Sequence, residues 1–185
     1  VLRVRPFKEA DRIYTILTKD LGLIRASASG VRKESSKLKA SLEPLSLSKI
    51  SFVRGKEYWR ITNAVLEDKF SKNTTGSDAV EMLVQVFSLL EKLIRGESAN
   101  PELFNRVIEV TDFISGQKLD SKKLDLLEVF LVAGILFELG YLSKEDLPSG
   151  ILDISLSAEK LDSIEKSKKT IIKLINSGIE VSGLS

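Results

Sequence analysis

"LSLSKISFVRGKEYWRITNAVL", residues 45–66, reads as two short strands joined by a tight turn. Ile50 and Phe52 alternate with polar neighbours, "RGKE" turns the chain, and Trp59, Ile61 and Val65 then alternate with Tyr58, Arg60 and Thr62. A period of two marks a half-buried strand, because successive side chains point to opposite faces. Upstream, Pro44 breaks the chain. Before it, "VLRVR" sets Leu2 and Val4 against Arg3 and Arg5, and "RIYTILT" is β-branched and aromatic. "KDLG" is a turn signal and "GLIRASASG" a hairpin partner. Five short strands in a row predict a small closed or nearly closed barrel, since closure removes edges that an open sheet must protect.

Beyond the strands the period changes. "SKNTTGS", residues 71–77, is a polar break, which predicts a boundary between a strand domain over 1–70 and a helical domain over 78–185. In "SDAVEMLVQVFSLLEKLIRG", Val80, Leu83, Phe87, Leu90 and Ile94 recur at three and four, with Ser77 as cap and Gly96 as stop. Asn100, Pro101 and Gly116 punctuate a second helix in the same way. A third, about 121–139, is apolar nearly all round and is expected at the centre of a bundle. A fourth spans about 158–177 and ends in "NSGIEVSGLS". The expected class is α+β: a five-stranded barrel followed by a helical bundle.

Composition narrows the chemistry. Among 185 residues there is no cysteine and no histidine. Disulfides, thiolate metal sites and imidazole bases are therefore excluded, and the absence of cysteine fits a reducing compartment without establishing one. The apolar run at 126–142 holds Glu128 and Glu138. It is shorter than the roughly 20 residues a spanning helix needs, and reads as buried. The first residue is not methionine, so upstream residues, including any targeting signal, are expected to be missing. Asn73-Thr74-Thr75 matches a glycosylation acceptor of the kind that occurs by chance.

No glycine loop for phosphates and no dinucleotide fingerprint is present; "KSKKT" near residue 169 lies inside a helical pattern without glycine. Acidic neighbours such as Glu9 and Asp11, or Glu67 and Asp68, read as solvated surface. No calcium-loop spacing appears. Neither an enzyme nor a cofactor nor a metal is expected.

Charge carries more. Residues 1–70 hold 15 Lys+Arg against 8 Asp+Glu, a balance of +7, while the remainder holds 13 against 18, or −5. Such asymmetry points to a polyanion bound by the basic half. Part of the excess sits in "GVRKESSKLKASLEP", residues 30–44, between two strands. A barrel with a charged groove and a few aromatics suits oligonucleotides, cations following the backbone and rings stacking on bases. Candidate cations are Arg3, Arg5, Lys8, Arg12, Arg25, the 32–39 cluster, Arg54, Lys56 and Arg60. Those taken as the DNA-binding set are Arg12, Arg25, Arg32, Lys33, Lys37, Lys39, Arg54 and Arg60. Trp59 reads as core because it shares a face with Ile61 and Val65. Phe7, beside Pro6, leans structural, and Tyr58 is balanced between core and stacking.

In order across about 60 residues, the "EADRI" step, a "T-x-x-L-G" hairpin, "G-V-R-K…S-K-L", the "L-E-P" turn and "RG…YWRIT" resemble the N-terminal part of RecO, a bacterial recombination mediator family. The helical remainder, including "ELGY", is similar more loosely. The resemblance implies an OB-fold followed by a helical domain, and a cytoplasmic, nucleoid-associated protein without catalytic turnover. It also implies binding to single- and double-stranded DNA, annealing of complementary strands and help in loading RecA. RecR and the acidic tail of single-strand-binding protein are the implied partners. Arg32, Lys33, Lys37 and Lys39 fall in the segment linked to DNA contact in that family. Two departures stand out. "LSKEDLPSGILDISL" occupies the place of a four-cysteine zinc site, so no zinc is expected, and the chain is shorter than the family's usual length. For the tail, an apolar slot with a basic rim is expected in the helical domain, with Lys92, Arg95, Arg106, Lys122 and Lys123 as available cations. The alternative reading is a non-catalytic interaction scaffold of the repair machinery with little DNA binding of its own.

Overall fold

The structure is a computed structural model that describes residues 1–70, 77–115, 117–153 and 155–184. The expected boundary segment, the Asn73 tripeptide, the capping side chain of Ser77 and the Gly116 stop lie outside the described residues. The chain is α+β and divides into two compact units, Val1–Asn73 with Gly96–Ala99, and Thr74–Arg95 with Asn100–Ser185.

The first unit holds β1 (Arg3–Phe7), β2 (Asp11–Thr18), β3 (Gly22–Ala28), β4 (Ser46–Arg54) and β5 (Trp59–Lys69) in one OB-like sheet of order β1-β2-β3-β5-β4. Neighbours run antiparallel except β3 and β5, which pair in parallel through Ala26↔Trp59 and Ser27↔Arg60. The sheet curls until its edge strands approach. At one end the Val1 nitrogen donates to the Ser46 carbonyl at 2.7 Å and the Leu45 N–H to the Val1 carbonyl at 2.9 Å. At the other, Phe7 packs edge-on against Tyr58 in the β4–β5 turn. The concave face buries Tyr14, Ile16, Ile24, Ala26, Ala28, Ile61 and Ala64, joined by Val31 and Leu42 from the β3–β4 connection. Each large side chain so buried contributes about 1.5–3 kcal/mol.

Trp59 packs against this core, as expected, but Val65 does not share its face: it is 55 % exposed. The β4–β5 register explains the correction. Ile61 pairs with Phe52 and Asn63 with Ser51, so Thr62 is an extra residue on β5. A bulge of this kind reverses the inward parity of everything after it. Ala64 therefore faces inward where strict alternation called for Val65.

The second unit holds α1 (Ser77–Leu93), α2 (Pro101–Ile114), α3 (Ser121–Glu138) and α4 (Ala158–Ser182). Asn100 caps α2 by accepting from the Leu103 N–H at 2.9 Å, with Pro101 opening the helix, and Asp120 caps α3 through the Lys123 N–H at 2.8 Å. Each such cap is worth about 1 kcal/mol. α3 is buried on nearly every side from Leu124 to Leu136 and touches α1, α2 and α4, which makes it the central helix. α4 runs past the expected end near 177. Gly178 does not stop it but sits buried where a Cβ would come 3.1 Å from Leu142, and Gly183, with φ 77°, closes the helix instead.

Arg106, expected as a surface cation, is 1 % exposed inside the second unit. Its guanidinium donates to Glu138 Oε1 at 3.3 Å and to the Leu152 carbonyl at 2.9 Å, and its Cζ lies 5.4 Å from the centre of the Phe130 ring. Space for it exists because residue 134 is glycine: a Cβ there would stand 2.2 Å from Arg106 Cδ. Gly134→Ala must displace a buried charge or its partners, and we expect it to destabilise the protein by about 1–3 kcal/mol, the usual cost of overpacking. Urea unfolding followed by far-UV circular dichroism measures this; an unchanged midpoint would show that Arg106 has somewhere else to go.

Candidate nucleic-acid interface

The segment after β3 is held down by its apolar residues, which leaves its cations outside. Val31 is fully buried, Leu38 packs on the core, and Leu42 closes a short 3-10 turn at Ala40–Leu42. Asp11 Oδ1 accepts from the Gly30 N–H at 2.8 Å. The Arg32 N–H donates to the Ala10 carbonyl at 3.0 Å, and Arg32 Nη1 to the Glu9 carbonyl at 2.7 Å. Two further turns follow, Lys33 N–H to Gly30 O and Ser36 N–H to Lys33 O, both at 3.1 Å. The loop is thus fixed to the β1–β2 turn, with Arg32, Lys33, Lys37 and Lys39 all exposed. None of the three lysines has an ion pair among the described residues.

A second group of cations lies on the convex face of the sheet. Arg3, Thr15 and Arg25 stand opposite one another across β1, β2 and β3. One step along, Arg5, Ile13, Ser27, Arg60 and Val53 form the next row through β5 and β4. Arg5, Arg25 and Arg60 are exposed. With strands about 4.8 Å apart, Arg5 and Arg60 stand about 14 Å from each other. Alternation in "VLRVR" indicated that Arg3 and Arg5 share a face; only the register aligns them with Arg25 and Arg60.

Arg12 and Arg54 belong to neither group. Arg12 pairs with Pro6 and Ala28 on the core-facing side and is half-buried beside Tyr14. Burial pushes the Tyr14 phenol up, and Arg12 draws it partly back. Arg54 is already engaged: Nη1 donates to Glu97 Oε2 at 2.6 Å, and Cζ lies 4.8 Å from the centre of the Trp59 ring. The Arg54 guanidinium, and after it the Trp59 indole, holds the Glu97 carboxyl below the usual carboxylate range.

Two aromatics complete the surface. Phe7, at the end of β1, and Tyr58, just before β5, meet with ring centres 6.0 Å apart at 75°. Lys8 Nζ sits 5.3 Å from the centre of the Phe7 ring. The helical unit offers a separate cavity of about 280 Å³ lined by Phe113, Leu126, Leu161, Lys122 and Lys123, together with Asp120, Asp162 and Glu165. Lys122 is tied there to Glu165 at 2.6 Å. Among the described residues no group of three His, Cys, Asp or Glu could hold a metal ion, and no helix is long and apolar enough to cross a membrane.

Comparison with known proteins agrees with this architecture. Residues 1–70 match the family model described as Recombination protein O N terminal. A DNA repair protein RecO of Dehalococcoides mccartyi is 32 % identical over 133 residues, covering 72 % of this chain and 53 % of the relative. One from another strain of that species is 34 % identical over 112 residues, 60 % of this chain and 44 % of the relative. One from Heliobacterium modesticaldum is 41 % identical over 71 residues, 38 % of this chain and 26 % of the relative. The chain spans about half the length of the D. mccartyi relatives. An OB-like sheet followed by helices, the family model over the whole sheet and relatives matched beyond it into the helices lead to one conclusion: the chain belongs to the RecO family of DNA repair and recombination proteins.

Proposed function

We propose that this protein is a non-catalytic DNA-binding mediator of recombination and repair. In this reading it binds single- and double-stranded DNA, anneals complementary strands and, with RecR, assists RecA loading on DNA coated by single-strand-binding protein. The observation that carries the proposal is the set of exposed cations on the OB-like unit that have no ion pair among the described residues, Lys33, Lys37 and Lys39 on the loop with Arg25 and Arg60 on the sheet. Phosphates neutralised by such groups release counterions, which makes binding strong at low salt and sensitive to added salt. Arg32 completes the loop, with Arg12 at its margin and Arg54 as a reserve held by Glu97. The domain division that serves this function is a DNA-binding domain over 1–70, a linker over 71–77 and a helical domain over 78–185. The cavity beside Lys122 and Lys123 is the candidate receptor for the tail of single-strand-binding protein. The working place is the nucleoid in the cytoplasm.

Anisotropy of labelled oligonucleotides across a salt series tests the proposal. Affinity is expected to fall with a log–log slope of about −0.7 per phosphate for single strands and about −0.9 for duplex. No binding at low salt would instead favour a scaffold that works through protein partners alone. Lys33→Glu combined with Lys37→Glu is expected to flatten the single-strand slope by about 1.4, two phosphates' worth. It is expected to leave the melting curve in place, since both side chains are exposed. Glu97→Gln releases Arg54 and is expected to tighten binding and steepen the same slope by about 0.7; an unchanged slope would show that Arg54 does not reach DNA even when free.

A further inference from the structure

The turns at which the sheet edges approach carry an arrangement that phosphate binding does not require. Phe7 ends β1 and Tyr58 lies in the β4–β5 turn, yet their rings meet at 6.0 Å. Both stay partly exposed rather than joining the core. In an edge-to-face pair, the ring offering its edge keeps both faces outside the contact and the other keeps one. Lys8 lies over a face of Phe7, so a face of Tyr58 remains outside both contacts. Lys8 is itself held in the left-handed region, at φ 52°. That conformation costs a non-glycine residue about 1–2 kcal/mol, and such strain gathers at functional sites. Cations flank the pair on both sides. Arg5 is exposed two residues before Phe7, Arg60 two residues after Tyr58, and Lys56 in the turn between the strands. Glu9 and Glu57 lie in the same turns, so charge alone does not make this spot a strong anion site. The rings set it apart.

We infer that the Phe7–Tyr58 pair is a stacking platform for an unpaired nucleobase, with Arg5, Lys8, Lys56 and Arg60 taking the adjoining phosphates, and that it gives the protein a preference for single strands over duplex. The inference rests on the nucleic-acid reading proposed above. Its physical basis is that a base inside a duplex is already stacked on both sides, whereas a single strand presents free π-faces, and stacking on an aromatic ring is indifferent to sequence. Phosphates are common to both forms. The loop lysines therefore serve both, and the ring pair serves one.

The test uses the full chain with a single-stranded oligonucleotide about 16 nucleotides long, the upper end of OB-fold site sizes, and its duplex. Tyr58→Leu and Phe7→Leu keep apolar volume and remove the rings. Each is expected to weaken single-strand binding about 5- to 150-fold, the loss of one stacked base, and to leave duplex affinity unchanged. Tyr58→Phe keeps the ring and is expected to keep the preference. In the wild type, 2-aminopurine placed along the strand is expected to be quenched on binding at one or more positions, and not in Tyr58→Leu. Equal losses on both substrates, no loss on either, or bound strands without quenching at any position would overturn the inference and leave the pair as a clasp between sheet edges. Wild-type protein that binds neither substrate at low salt would remove the nucleic-acid reading itself.

Discussion

Two paired residues on each strand, Ala26 with Trp59 and Ser27 with Arg60, hold the first unit in its topology. This parallel pairing places β5 between β3 and β4, so the chain leaving β3 cannot turn directly into its sequence neighbour. It must travel from Ser29 to Leu45 around the end of the sheet before β4 begins. Parallel neighbours always demand such a connection, while antiparallel ones are satisfied by a hairpin. The basic loop exists because of that demand. Val31, Leu38 and Leu42 are spent on the core to fasten it, and Arg32, Lys33, Lys37 and Lys39 among them face solvent.

The same pairing aligns the convex face. Ser27 opposite Arg60 brings the β5 cation into the row begun by Arg5 on β1, and the neighbouring row sets Arg3 against Arg25. Small and β-branched residues, Thr15, Ile13 and Ser27, separate the arginines. On the concave side the surface ends where Arg54 lies on Trp59 and is held by Glu97. Both partners of that ion pair are more than a third exposed, 64 % and 39 %, so it adds little stability. Its effect is to engage the guanidinium of a residue that is otherwise exposed.

In the helical unit a different constraint governs. A guanidinium at 1 % exposure is tolerated only with hydrogen-bonded acceptors and close packing around it. Glu138 and the Leu152 carbonyl supply the first; Phe130 and the bare backbone of Gly134 supply the second. Arg106 thereby ties α2 to the end of α3 and to the connector that follows it. Asn100 adds a second tie between the same two helices, since its side chain caps α2 and also donates to the Glu138 carbonyl at 3.1 Å.

What was legible in the residues is what depends on near neighbours along the chain. Alternation over "VLRVR" and the 45–66 hairpin, the β-branched and aromatic run "RIYTILT" and its turn-linked partner "GLIRASASG" located all five strands, because a strand's composition, turns and period of two are local. Asn100 with Pro101 located the start of α2, and the apolar run after Leu124 identified the central helix, because caps and burial patterns are also local. The gathering of positive charge before residue 70 was open to counting. What tertiary structure alone decided depends on residues far apart. The bulge at Thr62 turned Val65 outward through its register with β4. The last helix ran past its expected end near 177 with Gly178 buried inside it against Leu142, and Arg106 passed from a surface cation to a core one, because glycines at 178 and 134 let other side chains close in. Phe7 and Tyr58, 51 positions apart by their numbers, met only when the sheet curled. Periodicity states which way a side chain points relative to its own strand or helix; which partner waits there is fixed by chain closure between distant segments.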